Sequence, residues 1–185
     1  MQLDSQDFLR LTEKAGTLAF VDLEATGLRG DYNSILVVSI LKFGHSPVSF
    51  AVEQPGNDRK VVREAKELLE TCDAWVTYYG KGFDLPMINT RLLRWGIHPV
   101  SKRPHIDLYF TLKYNILTAR RSMAHLSRWL DTAQQKKDMS PDSWAGIVGN
   151  IKKYMPEMIA RCESDTKETR DLYLKVKHLI REIKR

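Results

Sequence analysis

Asp22 and Glu24 are the residues whose type and spacing most directly suggest chemistry in this chain. They close the apolar run LAFVDLEATGL, Leu18 to Leu28, and because a strand alternates faces at every residue, positions two apart share a face. Two carboxylates held side by side repel, and the arrangement is costly unless a cation lies between them. A divalent-metal site is therefore one reading, and a strand-end pair held by a nearby Lys or Arg is the other. Two more acids stand where such a site could recruit them. Asp84, in YYGKGFDLP, opens a helix directly after a strand, a position that a plain helix N-cap explains equally well when taken alone. Asp165 falls inside an otherwise apolar helical seam, where an unpaired carboxylate is out of place, although a backbone or Arg partner would also satisfy it there.

The elements needed to position these acids can be read from periodicity. Asp4 to Lys14 forms a short helix ended by Gly16, and Thr17 to Asp22 is the first strand. After the polar loop RGDYNS, Ile35 to Lys42 (ILVVSILK) is too uniformly apolar for a surface strand, and Val48 to Val52 completes an antiparallel meander. Val61, Val62, Ala65, Leu68 and Leu69 recur at helical spacing behind Asp58, which stands at the N-cap position. Asp73 to Tyr79 returns to strand character. A helix between two strands implies a right-handed crossover, so this strand joins the sheet parallel to the first.

Beyond the Gly80 to Gly82 bend, Leu85, Ile88, Leu92 and Trp95 mark a second amphipathic helix with Pro86 in its first turn. His105 to Asp107 reads as a last short strand, Leu108 to about Tyr114 and Arg121 to Leu130 as helices, and Asp131 to Trp144 as a polar loop. Met155, Met158, Cys162, Asp165, Thr169, Leu172, Val176, Leu179 and Ile183 form one seam along a long final helix. The expected class is α/β, with helices flanking a five-stranded mixed sheet, three antiparallel strands followed by two parallel ones.

Composition narrows the function classes. With 185 residues, 43% of them hydrophobic and 28% charged, the chain suits one domain spanning 1–185. Its 29 Lys and Arg exceed its 23 Asp and Glu, giving +6, a balance compatible with a polyanionic partner. Cys72 and Cys162 show neither C-x-x-C nor Cys/His ligand spacing, which argues against a disulfide framework or a zinc site. The polar, acidic start MQLDSQDFLR and the lack of a long apolar run predict a cytoplasmic protein with no membrane partner.

The three acidic stretches resemble the motifs of the DEDD superfamily of 3′-to-5′ exonucleases on the ribonuclease H-like fold. FVDLEATGL resembles the first motif, VTYYGKGFDLPMI the second and ARCESDTKETRDLY the third, in the family's order from Thr17 to Lys175. The likeness is greatest to the bacterial and phage ribonuclease H-like exonuclease-domain proteins. It implies a catalytic and metal-binding quartet of Asp22, Glu24, Asp84 and Asp165 holding two Mg²⁺ or Mn²⁺ ions. Asp22 would bridge the ions, Glu24 and Asp165 would help hold the one that carries the attacking water, and Asp84 would support the other. Such a pair of ions promotes phosphodiester hydrolysis, here with nucleoside 5′-monophosphates as products.

The departures from that pattern are equally specific. Active relatives place a general base as His five residues, or Tyr four residues, before the last Asp, where this chain has Ala160 and Arg161. Neither is a base at neutral pH, so its identity stays unknown from the sequence. His98 and His105 remain candidates, each more simply read as a surface histidine. Glu163 lies about 200° around the helix from Asp165. Ala25 replaces a Thr in the first motif, and Tyr79 stands where relatives commonly carry Asn. Tyr78 or Tyr79 could stack on a base, while Lys81, Arg120 and Arg121 are nucleic-acid-binding candidates. Lys102, Arg103, Lys136 and Lys137 could extend the track, and Asp107 is expected to cap a helix or hold the active-site loop. The favoured expectation is a two-metal 3′-to-5′ exonuclease acting on the 3′ end of single-stranded DNA or RNA. The alternatives are a catalytically degenerate binding module and a structure-specific endonuclease of the same fold.

Overall fold

The computed structural model describes residues 4–132, 140–147, 149–181 and 183. Its centre is β1 (Leu18–Ala25), antiparallel to β2 (Ile35–Lys42), which in turn pairs antiparallel with β3 (Val48–Ala51). After α1 (Ser5–Ala15), which precedes β1, the crossover helix α2 (Arg59–Glu70) carries the chain to β4 (Ala74–Thr77), parallel to β1. Helix α3 (Asp84–Arg94) leads to β5 (His105–Asp107), parallel to β4, and the strand order is β3-β2-β1-β4-β5. This is the expected α/β class with a five-stranded mixed sheet, three antiparallel strands followed by two parallel ones.

The alternation of β1 decides what each face receives. Ala19, Val21 and Leu23 enter the core shared with α2 and α3, whereas Leu18 and Phe20 pack with residues of α1 and of α7 (Ile151–Val176). Phe20 meets Tyr173 of α7 edge-on, with ring centroids 5.5 Å apart. Asp22 and Glu24 continue the Phe20 face toward the end of the strand, so the helix that covers Phe20 also passes over the two acids. On β2, Ser39 lies opposite Asp22, and its hydroxyl is 3.4 Å from that of Thr166 on α7.

Several elements depart from the sequence expectations, among them β1, which runs on to Ala25, three residues past the expected end at Asp22. The stretch through Trp144, expected as loop, contains α6 (Pro141–Gly146), started by Ser140, whose Oγ accepts from the Ser143 N–H, and by a proline in its first turn. Residues 133–139 of that segment, including Lys136 and Lys137, lie outside the described residues. Helix α7 stops at Val176 and tightens into a 3₁₀ turn over Lys177–Leu179, so Leu179 and Ile183 are not part of its seam, whereas Met155, Met158, Cys162, Asp165, Thr169, Leu172 and Val176 are buried along it. Finally, β4 ends at Thr77, and Tyr79 adopts a left-handed backbone with φ 65°.

Between β5 and α6 run α4 (Leu108–Asn115) and α5 (Met123–Trp129). Asp58 does not cap α2: its fully buried carboxylate accepts from Arg91 Nε and Nη2 at 2.8 and 3.0 Å, from Trp95 Nε1 at 2.7 Å and from the Ile35 N–H at 2.8 Å. The guanidinium and the two N–H donors together satisfy the carboxylate oxygens away from the end of the helix. Among the described residues no helix is long and apolar enough to cross a membrane.

Candidate metal centre

The parallel strands β1 and β4 end on the same side of the sheet, and the acids gather there, at the carboxyl ends where open α/β sheets form ligand crevices. Asp22 and Glu24 come from β1, Asp84 is the first residue of α3 just beyond β4, and Asp165 descends from α7. Ligand atoms of Asp22, Glu24 and Asp165 all lie within 4.8 Å of one another. Asp84 is outside that triad but lines the same cavity of about 550 Å³, together with Leu28, Arg29, Tyr78, Tyr79, Phe83 and Arg161.

Electrostatics marks this as a site under strain from like charge. Asp22 touches the cavity at its surface, but most of its surroundings are protein. Burial, followed by the charges of Asp84, Asp165 and Glu24, pushes its carboxyl well above the usual range, against a thiol hydrogen bond from Cys162. Asp84, only 5% exposed, is pushed up to about 7 chiefly by burial, and also by Asp107 and Glu24, while the backbone N–H groups of Asp84 and Leu23 pull the other way. Carboxylates so placed take up either protons or a cation. Their all-oxygen donor set suits a hard divalent ion such as Mg²⁺ or Mn²⁺.

Cys162, three residues before Asp165, points its Sγ at Asp22, 3.3 Å from Oδ2 and 3.4 Å from the carbonyl oxygen. Burial and the neighbouring acids raise this thiol well above its ordinary value, so it serves as a protonated donor. Its place in the apolar seam gave no sign of that role. Arg161 was passed over in the sequence as unable to act as a base, yet it is one of the most closely engaged side chains of the centre. Its Nε donates to Glu24 Oε1 at 2.6 Å, and its Nη2 lies 3.8 Å from Asp165 Oδ2. The signal was its i−4 spacing from Asp165, which puts both on one face of the helix.

The turn after β4 is fixed by Asp107. Its Oδ1 accepts from the Tyr79 N–H at 3.0 Å and the Tyr109 N–H at 3.0 Å, and its Oδ2 accepts from the Lys81 N–H at 2.9 Å. Gly80 is required between them, because a Cβ there would sit 2.5 Å from the Thr77 side chain. The left-handed backbone of Tyr79 is one that Asn tolerates better than most residues, which fits the Asn that the resemblance led one to expect here. Tyr79 is 47% exposed and packs against Tyr109 and Phe110 at centroid distances of 5.0 and 5.9 Å. Tyr78 also lines the cavity, and its hydroxyl donates to the Arg121 carbonyl.

The remaining candidates spread around the molecule. Lys81 is exposed and borders a neighbouring hollow with His105, Asp107 and Phe110, not the acidic cavity. Arg120 and Arg121 occupy the exposed loop before α5, with Arg121 nearest the cavity through Tyr78. Arg103 donates to the Cys72 carbonyl before β4, which puts Lys102 and Arg103 at the opposite end of that strand from the acids. Glu163 accepts from Ser49 Oγ of β3 at 2.9 Å, turned away from the centre. His98 is exposed beyond the far end of α3. His105 begins β5 and hydrogen-bonds Thr77 Oγ1 at 2.8 Å; burial, and then Lys81, lowers its pKa to about 4. Arg29 and Leu28, from the loop after the Thr-Gly turn, join the cavity without having been anticipated.

A family model described as the RNase_H superfamily matches residues 19–176. No curated protein matches the sequence. Among solved structures, the family B DNA polymerase of the hyperthermophilic archaeon Pyrobaculum calidifontis is similar over 86% of this chain, with TM-score 0.73 and 16% identity. The chain spans 24% of that polymerase. A structure described as the apo form of a nuclease is similar over 96% of this chain and 78% of its own length, with TM-score 0.65 and 15% identity. At these identities the two structures bear on the fold alone.

Proposed function

The chain belongs to the ribonuclease H superfamily, and from that premise we propose that it is a divalent-metal-dependent 3′-to-5′ exonuclease of the DEDD branch, acting on single-stranded DNA or RNA. The observation that carries this reading is the convergence of Asp22, Glu24 and Asp165 within 4.8 Å of one another, with Asp84 in the same cavity. The quartet would hold two Mg²⁺ or Mn²⁺ ions. When bound, such ions lower the pKa of the attacking water and offset the charge that grows on the leaving 3′ oxygen. The protein's part is to hold the four carboxylates facing the cavity, while Asp107 fixes the turn that delivers Asp84.

The exposed ring of Tyr79, backed by Tyr109 and Phe110, is placed to stack on a base at the 3′ end, a contact worth about 1–3 kcal/mol. Arg29 and Arg121 stand near enough to the cavity to take backbone phosphates. Single-stranded substrate suits a cavity that offers one aromatic platform and a narrow acidic floor. The charge-paired Arg161 at the position where similar enzymes carry a base favours a second reading, a binding module of the same fold that has lost turnover.

The test uses a 5′-labelled oligonucleotide with Mn²⁺ or Mg²⁺. Stepwise shortening from the 3′ end is expected, with Asp22→Ala reducing the rate at least 10³-fold, roughly the loss of a principal electrostatic contributor. Metal-dependent binding without cleavage at any pH would establish the binding module, and internal cuts in a circular substrate would establish an endonuclease.

A further inference from the structure

Arg161 is held on three sides. Glu24 Oε1 lies 2.6 Å from its Nε, Asp165 Oδ2 lies 3.8 Å from its Nη2, and the Trp144 ring of α6 lies 5.8 Å from its guanidinium carbon. Its side chain is 16% exposed, and those of Glu24 and Asp165 are 11% and 6% exposed. This is a socket, built by β1, α6 and α7, for one positive charge. The carboxylates that close it are two of the three that would hold a divalent ion. A guanidinium and a hard cation cannot both draw on Glu24 at full strength, because each needs the carboxylate oxygens in its own contact shell.

We propose that Arg161 is a tethered competitor for one of the two ions: in the metal-free protein its guanidinium takes the place of the cation that Glu24 and Asp165 would hold. The proposal rests on the metal-centre reading above and adds a loading order. The first ion binds on the Asp22 and Asp84 side, away from the Glu24 oxygen that Arg161 holds. The second binds only as Arg161 releases Glu24, and the released side chain already lines the cavity in which a substrate phosphate would lie. A guanidinium is not deprotonated in a protein, so Arg161 leaves by moving, not by losing its proton.

Charge arithmetic for the ion-loaded centre favours the departure of Arg161 as the second ion arrives. Four ionised carboxylates carry −4, which two divalent ions would neutralise, whereas Arg161 with two ions would leave an excess positive charge. A socket already holding +1 therefore binds its second ion weakly until an anion arrives. A substrate phosphate is such an anion, and it can accept the displaced guanidinium bidentately.

Calorimetric titration with Mn²⁺, without nucleic acid, tests the proposal. Wild type is expected to bind one ion at least tenfold more tightly than a second. Arg161→Gln, which stays polar but is shorter and loses the charge, is expected to tighten the second site at least tenfold. Arg161→Lys keeps the charge but loses the forked hold, so its second-site affinity should fall between the two. Thermal unfolding supplies a second readout: in chelator Arg161→Gln melts lower than wild type, and saturating Mn²⁺ raises its midpoint by more. If Arg161→Gln and Arg161→Lys both bind the second ion no more tightly than wild type, the competitor proposal is wrong while the metal centre stands. If none of the three proteins binds Mn²⁺, the metal-centre reading itself fails and the competitor proposal goes with it.

Discussion

At the level of single residues, the environment of a titratable group separated roles that residue type alone left together. His105 was a candidate base in the sequence, but in the structure it is a partly buried partner of Thr77 whose pKa is lowered to about 4, first by burial and then by Lys81. The sign of its contribution follows directly. Below about pH 6.5 the unfolded chain protonates this imidazole while the folded one does not, so stability is lost as pH falls from there toward about 4. Replacing it with Gln, which can keep the Thr77 contact, should flatten that decline by up to about 3 kcal/mol, as measured by urea unfolding at pH 7 and pH 4.5. An unchanged pH profile would show that the imidazole is protonated in the fold. Asp22 and Asp84, both raised, act in the opposite sense and are common to the two proteins, so they cancel in the comparison. The acids themselves were legible because a charge in an apolar pattern stands out. Arg161 and Cys162 were not, because an arginine on a helix ordinarily reads as solvated and a cysteine as core. What gives them their roles is the proximity of α7 to β1, a long-range contact invisible in local spacing.

The helices and strands show the same division. The limits of β2 could be read directly, since ILVVSILK is apolar apart from Ser39 and the closing Lys42, whereas the end of α7 could not. Leu179 and Ile183 continue a helical spacing that the chain abandons beyond Val176, where a 3₁₀ turn begins and Gln6 of α1 donates to the Lys177 and Ile180 carbonyls at 3.1 and 2.9 Å. The Asp58–Arg91 pair is the clearest case of tertiary structure overriding a local signal. It ties α2 to α3 and, through Arg91 Nη1 to the Gly30 carbonyl at 3.1 Å, to the loop that brings Leu28 and Arg29 to the cavity. Removing one partner of a buried pair leaves the other charge uncompensated, so Asp58→Ala should cost about 3–5 kcal/mol in urea unfolding. The double variant Asp58→Leu with Arg91→Met, which removes both charges, should recover much of that loss. A loss below about 1 kcal/mol for the single variant, the usual range of an exposed pair, would mean that Arg91 turns out to water and that the loop is held by its own hydrogen bonds.

For the molecule as a whole, the charge is +6 while the cavity floor is acidic, and the two act at different ranges. Positive side chains spread over the surface draw a polyanion toward the protein, but at the floor four carboxylates repel the phosphate that must finally sit there. Under the proposed function, cations held by those carboxylates would reverse the repulsion, so nucleic-acid affinity is expected to rise with metal occupancy. Affinity should also be salt-dependent, because each phosphate neutralised by Arg or Lys releases counterions. If about three phosphates are engaged, the slope of log affinity against log salt is about −2 for a single strand, or roughly a twentyfold loss between 50 and 200 mM. Fluorescence anisotropy with a hydrolysis-resistant phosphorothioate oligonucleotide at fixed Mn²⁺ measures this. Arg29→Ala with Arg121→Ala should reduce the slope by about 1.4, since each cation accounts for about 0.7, while Tyr79→Ala should weaken binding at every salt concentration without changing the slope. A slope unaffected by the paired arginine substitutions would place the phosphate track elsewhere on the basic surface. A slope that changed with Tyr79→Ala would mean that the aromatic platform helps to position the phosphates, and that stacking and charge recognition are not independent.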